Sequence, residues 1–152
     1  MSTAENKELI RRIFAGLEIG DGRLLFESMT PDFCWIIPGS TKWSRTYEGK
    51  EAVANELMRP LRRKIEGAIK TKAHRIVADG DLVVVEARGD NITKAGVPYC
   101  NTYCFVFRLE DGRQAHAYAG PRRTGGEAAR TQEVTEYQDT ELATRALGDP
   151  AE

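Results

Sequence analysis

The sequence predicts an α+β fold in which two or three N-terminal helices pack on the concave face of a strongly bent antiparallel sheet and enclose a pocket. Three observations predict it. Leu9, Ile10, Ile13, Phe14 and Leu17 recur at helical spacing. Val53, Leu57, Leu61 and Ile65 repeat that spacing. From Lys72 onward the period falls to two, and Asp-Gly and Gly-containing turns punctuate it.

In order, the first helix is capped by Ser2 or Thr3 and stopped at Gly20-Asp21-Gly22, where glycine tolerates a positive φ. A short helical turn spans 23–29, and Pro31 closes it. Residues 32–37 alternate as a strand, with Phe33, Trp35 and Ile37 on one face and Cys34 and Ile36 on the other. Pro38-Gly39 turns the chain into a polar loop that runs to Gly49. The second helix spans 51–65, and Pro60 within it predicts a break or kink near Met58.

The back half reads as a meander. Residues 72–78 and 82–93 form strands around the hairpin turn Asp79-Gly80-Asp81. Lys94-Ala95-Gly96 leads to a third strand over 99–109. A last strand spans 133–139, followed by a short helix from about Glu141. The segment 113–131 breaks the pattern and reads mainly as an extended loop. The competing reading makes 114–119 a strand and 127–147 one long helix.

A chain of 152 residues with 41% hydrophobic and 30% charged residues suits a single globular domain, here 1–152. Its net charge of -1 argues against a nucleic-acid partner. No apolar run approaches the roughly 20 residues of a membrane span. The N-terminus lacks the pattern of a signal peptide, so a cytoplasmic location is expected. Cys34, Cys100 and Cys104 form no Cys-x-x-Cys pair, and the chain has two histidines, so neither a metal site nor another cofactor is expected.

Strand parity singles out charged residues. Glu86, Arg88 and Asp90 share one face of their strand, which is either a solvated face or the pocket wall. In the pocket, an Arg between carboxylates would keep them ionised and oriented. Glu136 on the last strand could project into the same cavity, where burial would raise its pKa into the range useful for proton transfer. Arg88, Asp90 and Glu136 are therefore the candidate catalytic group. Trp35, Glu86 and Cys104 are candidate pocket-lining residues, with Trp35 equally readable as core packing. Tyr99, Asn101 and Tyr103 share a face that suits an interface or helix packing. Tyr99, Tyr103, Phe105 and Phe107 form an apolar row on which a homodimer is expected. His74 belongs on a strand exterior. Arg59, Arg62, Arg63, Lys64, Lys70 and Lys72 read as a solvated basic face, offset by Glu51, Glu56 and Glu66.

Several segments in this order resemble SnoaL-like proteins of the nuclear transport factor 2-like superfamily. They are Trp35-Ile-Ile-Pro-Gly39, Tyr47-Glu-Gly49, Ala78 to Glu86, Pro98 to Arg108 and Glu136-Tyr-Gln-Asp-Thr140. The resemblance covers nearly the whole chain and implies a cone-shaped α+β barrel. That fold hosts isomerases, hydrolases, cyclases and binders, so function must be argued from the site. In similar proteins the turn at 111–112 leads almost at once into the last strand, which makes 113–131 an unusual insertion.

The spacing of Arg88, Asp90 and Glu136 resembles that of limonene-epoxide-hydrolase-like members, in which one acid activates water and another protonates the epoxide. Trp35 and Ile37 stand where those enzymes orient water with Tyr and Asn, so the match is incomplete. The resemblance to steroid isomerases places Ile13, Ile37 and Cys104 at the catalytic positions, so that activity is not expected. Two functional classes remain. One is a cofactor-independent enzyme doing acid–base chemistry of isomerase, cyclase or hydrolase type on an apolar small molecule. The other is a non-catalytic binding or assembly protein with the same pocket.

Overall fold

The computed structural model describes residues 2–110 and 130–152. Helix α1 spans Thr3–Glu18. Its start is closed reciprocally: Ser2 Oγ accepts from the Glu5 amide at 3.1 Å, and Glu5 Oε2 accepts from the Ser2 amide at 3.0 Å. Its stop is Gly20, at φ 82°. A Cβ there would lie 2.6 Å from that of Ala68, so glycine is needed for both conformation and close approach. Ile10, Ile13 and Phe14 are buried, and Phe14 meets Phe105 and Phe107 with ring centroids 5.7 and 6.0 Å apart. Helix α2 is Arg23–Ser28, and strand β1 follows directly as Met29–Ile36.

Strand β1 thus begins three residues before Asp32 and carries Pro31 inside it. Pro31 and Asp32 are exposed, and the register shifts between Met29 and Cys34, where the missing amide is tolerated. Phe33, Trp35 and Ile37 are all buried, as the alternation predicts.

The polar loop holds a short strand, β2 (Thr46–Glu48), paired with β1. Trp43, in the same loop, is 2% exposed and donates from its indole to the Gly148 carbonyl at 2.8 Å. The second helical region is continuous but changes winding. It runs as α3 (Lys50–Ala52), a π-helical turn (Val53–Met58) and α4 (Arg59–Lys64). Pro60 has no amide to donate, and the expected break appears as wider winding just before it.

Strands β3 (Thr71–Asp79) and β4 (Leu82–Gly89) form the predicted hairpin. Strand β4 is shorter than expected. The chain bends at Asp90, and Asn91–Ile92 (β5) pairs with Pro98–Tyr99 (β6) in a separate two-stranded sheet. Strand β7 is Thr102–Glu110 and β8 is Arg130–Gln138. Helix α5, Thr140–Leu147, is capped by Asp139, whose carboxylate accepts from the Glu141 and Leu142 amides.

The main sheet has the order β2-β1-β8-β7-β4-β3 and is curved without closing into a barrel. All of its pairings are antiparallel except β1–β8, which is parallel. The alternative long helix over 127–147 is overturned, because 130–138 is strand. Most of the 113–131 insertion lies outside the described residues; its last two, Arg130 and Thr131, belong to β8 and pair with Glu110 and Leu109.

The core lies between the helices and the concave face of the sheet. Val83, Val85, Ala87, Phe105, Phe107 and Val134 point into it. Each fully buried large apolar side chain contributes about 1.5–3 kcal/mol. This corrects one expectation. Tyr99, Phe105 and Phe107 are buried at 3, 6 and 1% exposure, with Phe105 and Phe107 against Phe14 of α1, so these members of the row are core packing and not an exposed face.

Candidate active site

The sheet register decides which side chains meet. Phe105 pairs with Glu136 across β7–β8 and with Val85 across β7–β4, so all three share the concave face. Trp35 lies beside Val134 on the parallel neighbour, which brings its indole over the next residue of that face. The result is a hydrogen bond from Trp35 Nε1 to Glu136 Oε1 of 3.2 Å. Trp35 meets Phe105 edge-on with centroids 6.4 Å apart, and Tyr103 stacks on Phe105 at 5.0 Å.

These residues line a cavity of about 370 Å³, within the size range of small-molecule sites. Its walls are mostly apolar. Leu25, Phe26, Met29, Val53, Leu57 and Met58 supply the helical side. Tyr99, Tyr103, Phe105 and Gln138 supply much of the sheet side. Glu136 is the one carboxylate among the described lining residues, and Arg62 the one cation.

Burial pushes the Glu136 carboxyl up from its ordinary value to about 7, against the smaller lowering effect of the Trp35 donor. The residue is partly accessible from the cavity, although protein surrounds its carboxyl closely. Among the described residues, Trp35 is its one hydrogen-bonding partner. Such a carboxyl is half protonated near neutrality and can either give or take a proton.

A second polar cluster holds the cavity end near α5. Asn101, 0% exposed, accepts at Oδ1 from the Thr102 and Asp139 amides at 2.8 and 3.1 Å. Its Nδ2 donates to Tyr99 Oη, Gln138 Oε1 and the Asp139 carbonyl at 3.1–3.2 Å. Two amides on Oδ1 and three acceptors at Nδ2 fix the orientation of the side-chain amide. Tyr99 Oη donates to Gln138 Oε1 at 3.3 Å. Burial raises the Tyr99 phenol, and burial together with neighbouring Tyr99 holds the Tyr103 phenol well above its usual range. Both remain neutral hydroxyl groups at physiological pH.

The expected acid–arginine–acid group does not assemble. Glu86 and Arg88 pair with Cys104 and Thr102, so all four stand on the convex face. Glu86 and Arg88 are exposed there, and Glu86 contacts Arg75 at 3.4 Å. Asp90 is exposed beyond the end of β4. Cys104 lines a shallow outer depression with His74, Glu86, Arg88 and Tyr137. The correction has a simple cause: Val83, Val85 and Ala87 occupy the inward parity of β4, so the charged residues take the outward one. Of the six candidates, Trp35 and Glu136 line the cavity.

Sequence reasoning missed Tyr103, Gln138, Trp43 and Arg62 as lining residues. The signal for Tyr103 was its parity with Phe105 and Phe107, which pair opposite Val85 and Val83. The signal for Trp43 was a large indole in an otherwise polar loop, which a folded chain tends to cover.

The model of the SnoaL-like domain matches residues 10–117. The chain belongs to the SnoaL-like family. A nuclear transport factor 2-like protein of Burkholderia xenovorans is 25% identical, with a TM-score of 0.66 over 97% of this chain and 99% of that one. A putative SnoaL-like polyketide cyclase of Jannaschia is 19% identical, with a TM-score of 0.68 over 95% and 92%. An epoxide hydrolase of Mycobacterium tuberculosis resembling limonene epoxide hydrolase is 20% identical, with a TM-score of 0.65 over 95% and 90%. No curated protein matches the chain. This SnoaL-like domain thus shares its fold with proteins of differing chemistry, and its own activity must come from its own cavity.

Proposed function

We propose that this SnoaL-like protein is a cofactor-independent enzyme that moves a proton on an apolar small molecule, with Glu136 as the acid–base group. The supporting observation is a carboxyl raised by burial to about 7, the one carboxyl among the described residues lining a mostly apolar cavity. A lone carboxyl can take a proton from carbon and return it elsewhere on the substrate, the chemistry of an isomerase or a cyclase. Hydrolysis by the two-acid route fits less well, because Arg88 and Asp90 are not in the cavity. Trp35 would hold the carboxyl in place, and the apolar walls would exclude competing water.

The test is deuterium exchange. A panel of apolar enolisable ketones, esters and keto acids is incubated with the protein in heavy water, and label at carbon is read by mass spectrometry. Catalysed exchange that falls by at least about a hundredfold in Glu136→Gln supports the reading. Catalysed exchange that persists in the variant removes Glu136 from the role, and no exchange with any compound favours a non-catalytic binding protein using the same cavity.

A further inference from the structure

Helix α4 carries Arg62, Arg63 and Lys64 in its last turn and no acidic residue. Arg62 reaches the rim of the cavity, beside Gly67, Ala68 and Ile69 from the loop that follows and Gly20 and Gly22 from the turn after α1. Arg62 is exposed and makes no ion pair among the described residues. The nearby acids form no ion pair with Arg62 among the described residues: Glu56 pairs with Arg45 at 3.0 Å, Glu18 meets Lys72 of the basic face at 3.6 Å, and Glu51 and Glu66 are exposed. The cavity therefore has an unpaired guanidinium at its rim, apolar walls between, and Glu136 within.

We infer that the cavity selects hydrophobic organic acids, with Arg62 binding the anionic group at the rim while the apolar body fills the interior. A guanidinium presents paired N–H donors that match a carboxylate or sulfonate. Beside an apolar wall, water screens that contact less than on an open face. The inference rests on reading the cavity as the substrate site and adds the substrate class to it.

The test uses two fluorescent probes with one aromatic framework: anilinonaphthalene sulfonate and its neutral parent, N-phenylnaphthylamine. Both are titrated into the full chain and into Arg62→Gln, Arg62→Lys and Arg63→Gln. Arg63 is absent from the cavity lining and reports the basic face alone. Arg62→Gln is expected to weaken the sulfonate about three- to tenfold and to leave the neutral probe within about twofold. Arg62→Lys should restore part of the loss, and Arg63→Gln should change neither probe. Equal effects on both probes, an equal loss in Arg63→Gln, or no binding of either probe to the wild-type chain overturns the inference. Failure of the proton-transfer reading shows separately, as exchange unaffected by Glu136→Gln while the Arg62 discrimination stands.

Discussion

Trp35 Nε1 donates to Glu136 Oε1 at 3.2 Å, across a parallel strand pair inside an otherwise mostly apolar cavity. The bond favours the ionised carboxylate and opposes the desolvation that raises its pKa. Trp35→Phe keeps an aromatic ring against Phe33 and Phe105 and removes the donor. The Glu136 pKa is expected to rise above about 7 in this variant. Carbon-13 chemical shifts of the labelled carboxyl, followed against pH, would measure it. An unchanged or lower midpoint would show that the indole does not stabilise the carboxylate.

The same carboxyl makes stability depend on pH. Glu136 ionises near 4.5 in the unfolded chain and near 7 in the folded one. Between those values the folded state holds more protons, so stability falls as pH rises. The contribution is fully present below 4.5 and lost above 7. Glu136→Gln should therefore flatten the profile and raise stability at pH 8 relative to wild type. The gain is at most about 3 kcal/mol, because Glu136 is partly accessible from the cavity and the penalty is correspondingly smaller. Urea melts at pH 5 and pH 8 measure it; parallel profiles for the two proteins would refute it.

How far the sequence led depended on which side of a strand carried an unambiguous apolar signal. Phe33, Trp35 and Ile37 alternate cleanly and proved to be the inner face of β1. Strand β4 was harder, because Val83, Val84 and Val85 are consecutive and either parity begins apolar. Charge then suggested a functional face where the structure has a solvated one. Pairing partners settle the choice: Phe105 stands opposite Val85, and Cys104 opposite Glu86. Glu136 could be found from its parity on the last strand, whereas Arg62 could not. Its place at the rim depends on how α4 and the 67–69 loop fold back toward α1, and helical spacing along one segment does not encode that approach.

Asn101 offers a test of the polar cluster that shapes the cavity end. It satisfies two backbone amides and three acceptors while fully buried. Asn101→Ala would leave the Asp139 and Thr102 amides and the Gln138 amide oxygen short of partners. Thr102 and Asp139 are exposed and Gln138 keeps the Tyr99 hydroxyl, so the loss is expected at about 1–3 kcal/mol in total. Asn101→Asp should cost at least as much, since it turns an acceptor toward Tyr99, Gln138 and the Asp139 carbonyl in place of a donor. Denaturant midpoints of the two variants decide the matter; a loss below about 1 kcal/mol in both would mean the network carries little stability.

The convex face makes the opposite prediction for Arg88. Were Arg88 enclosed between Asp90 and Glu136, Arg88→Met would leave buried carboxylates unpaired at a cost of about 3–5 kcal/mol. In the structure Arg88 is exposed, its cross-strand neighbours are Lys72 and Thr102, and Glu86 is served by Arg75. Replacing it removes a solvated charge directly opposite a second cation, Lys72, and such like-charge neighbours oppose pairing. Arg88→Met should accordingly lie within about 0.5 kcal/mol of wild type, as surface changes away from special features do. Deuterium exchange on any substrate should be unchanged, because the side chain stands across the sheet from Glu136. A loss of several kcal/mol, or of turnover, in Arg88→Met would place the arginine in the cavity and restore the two-acid route.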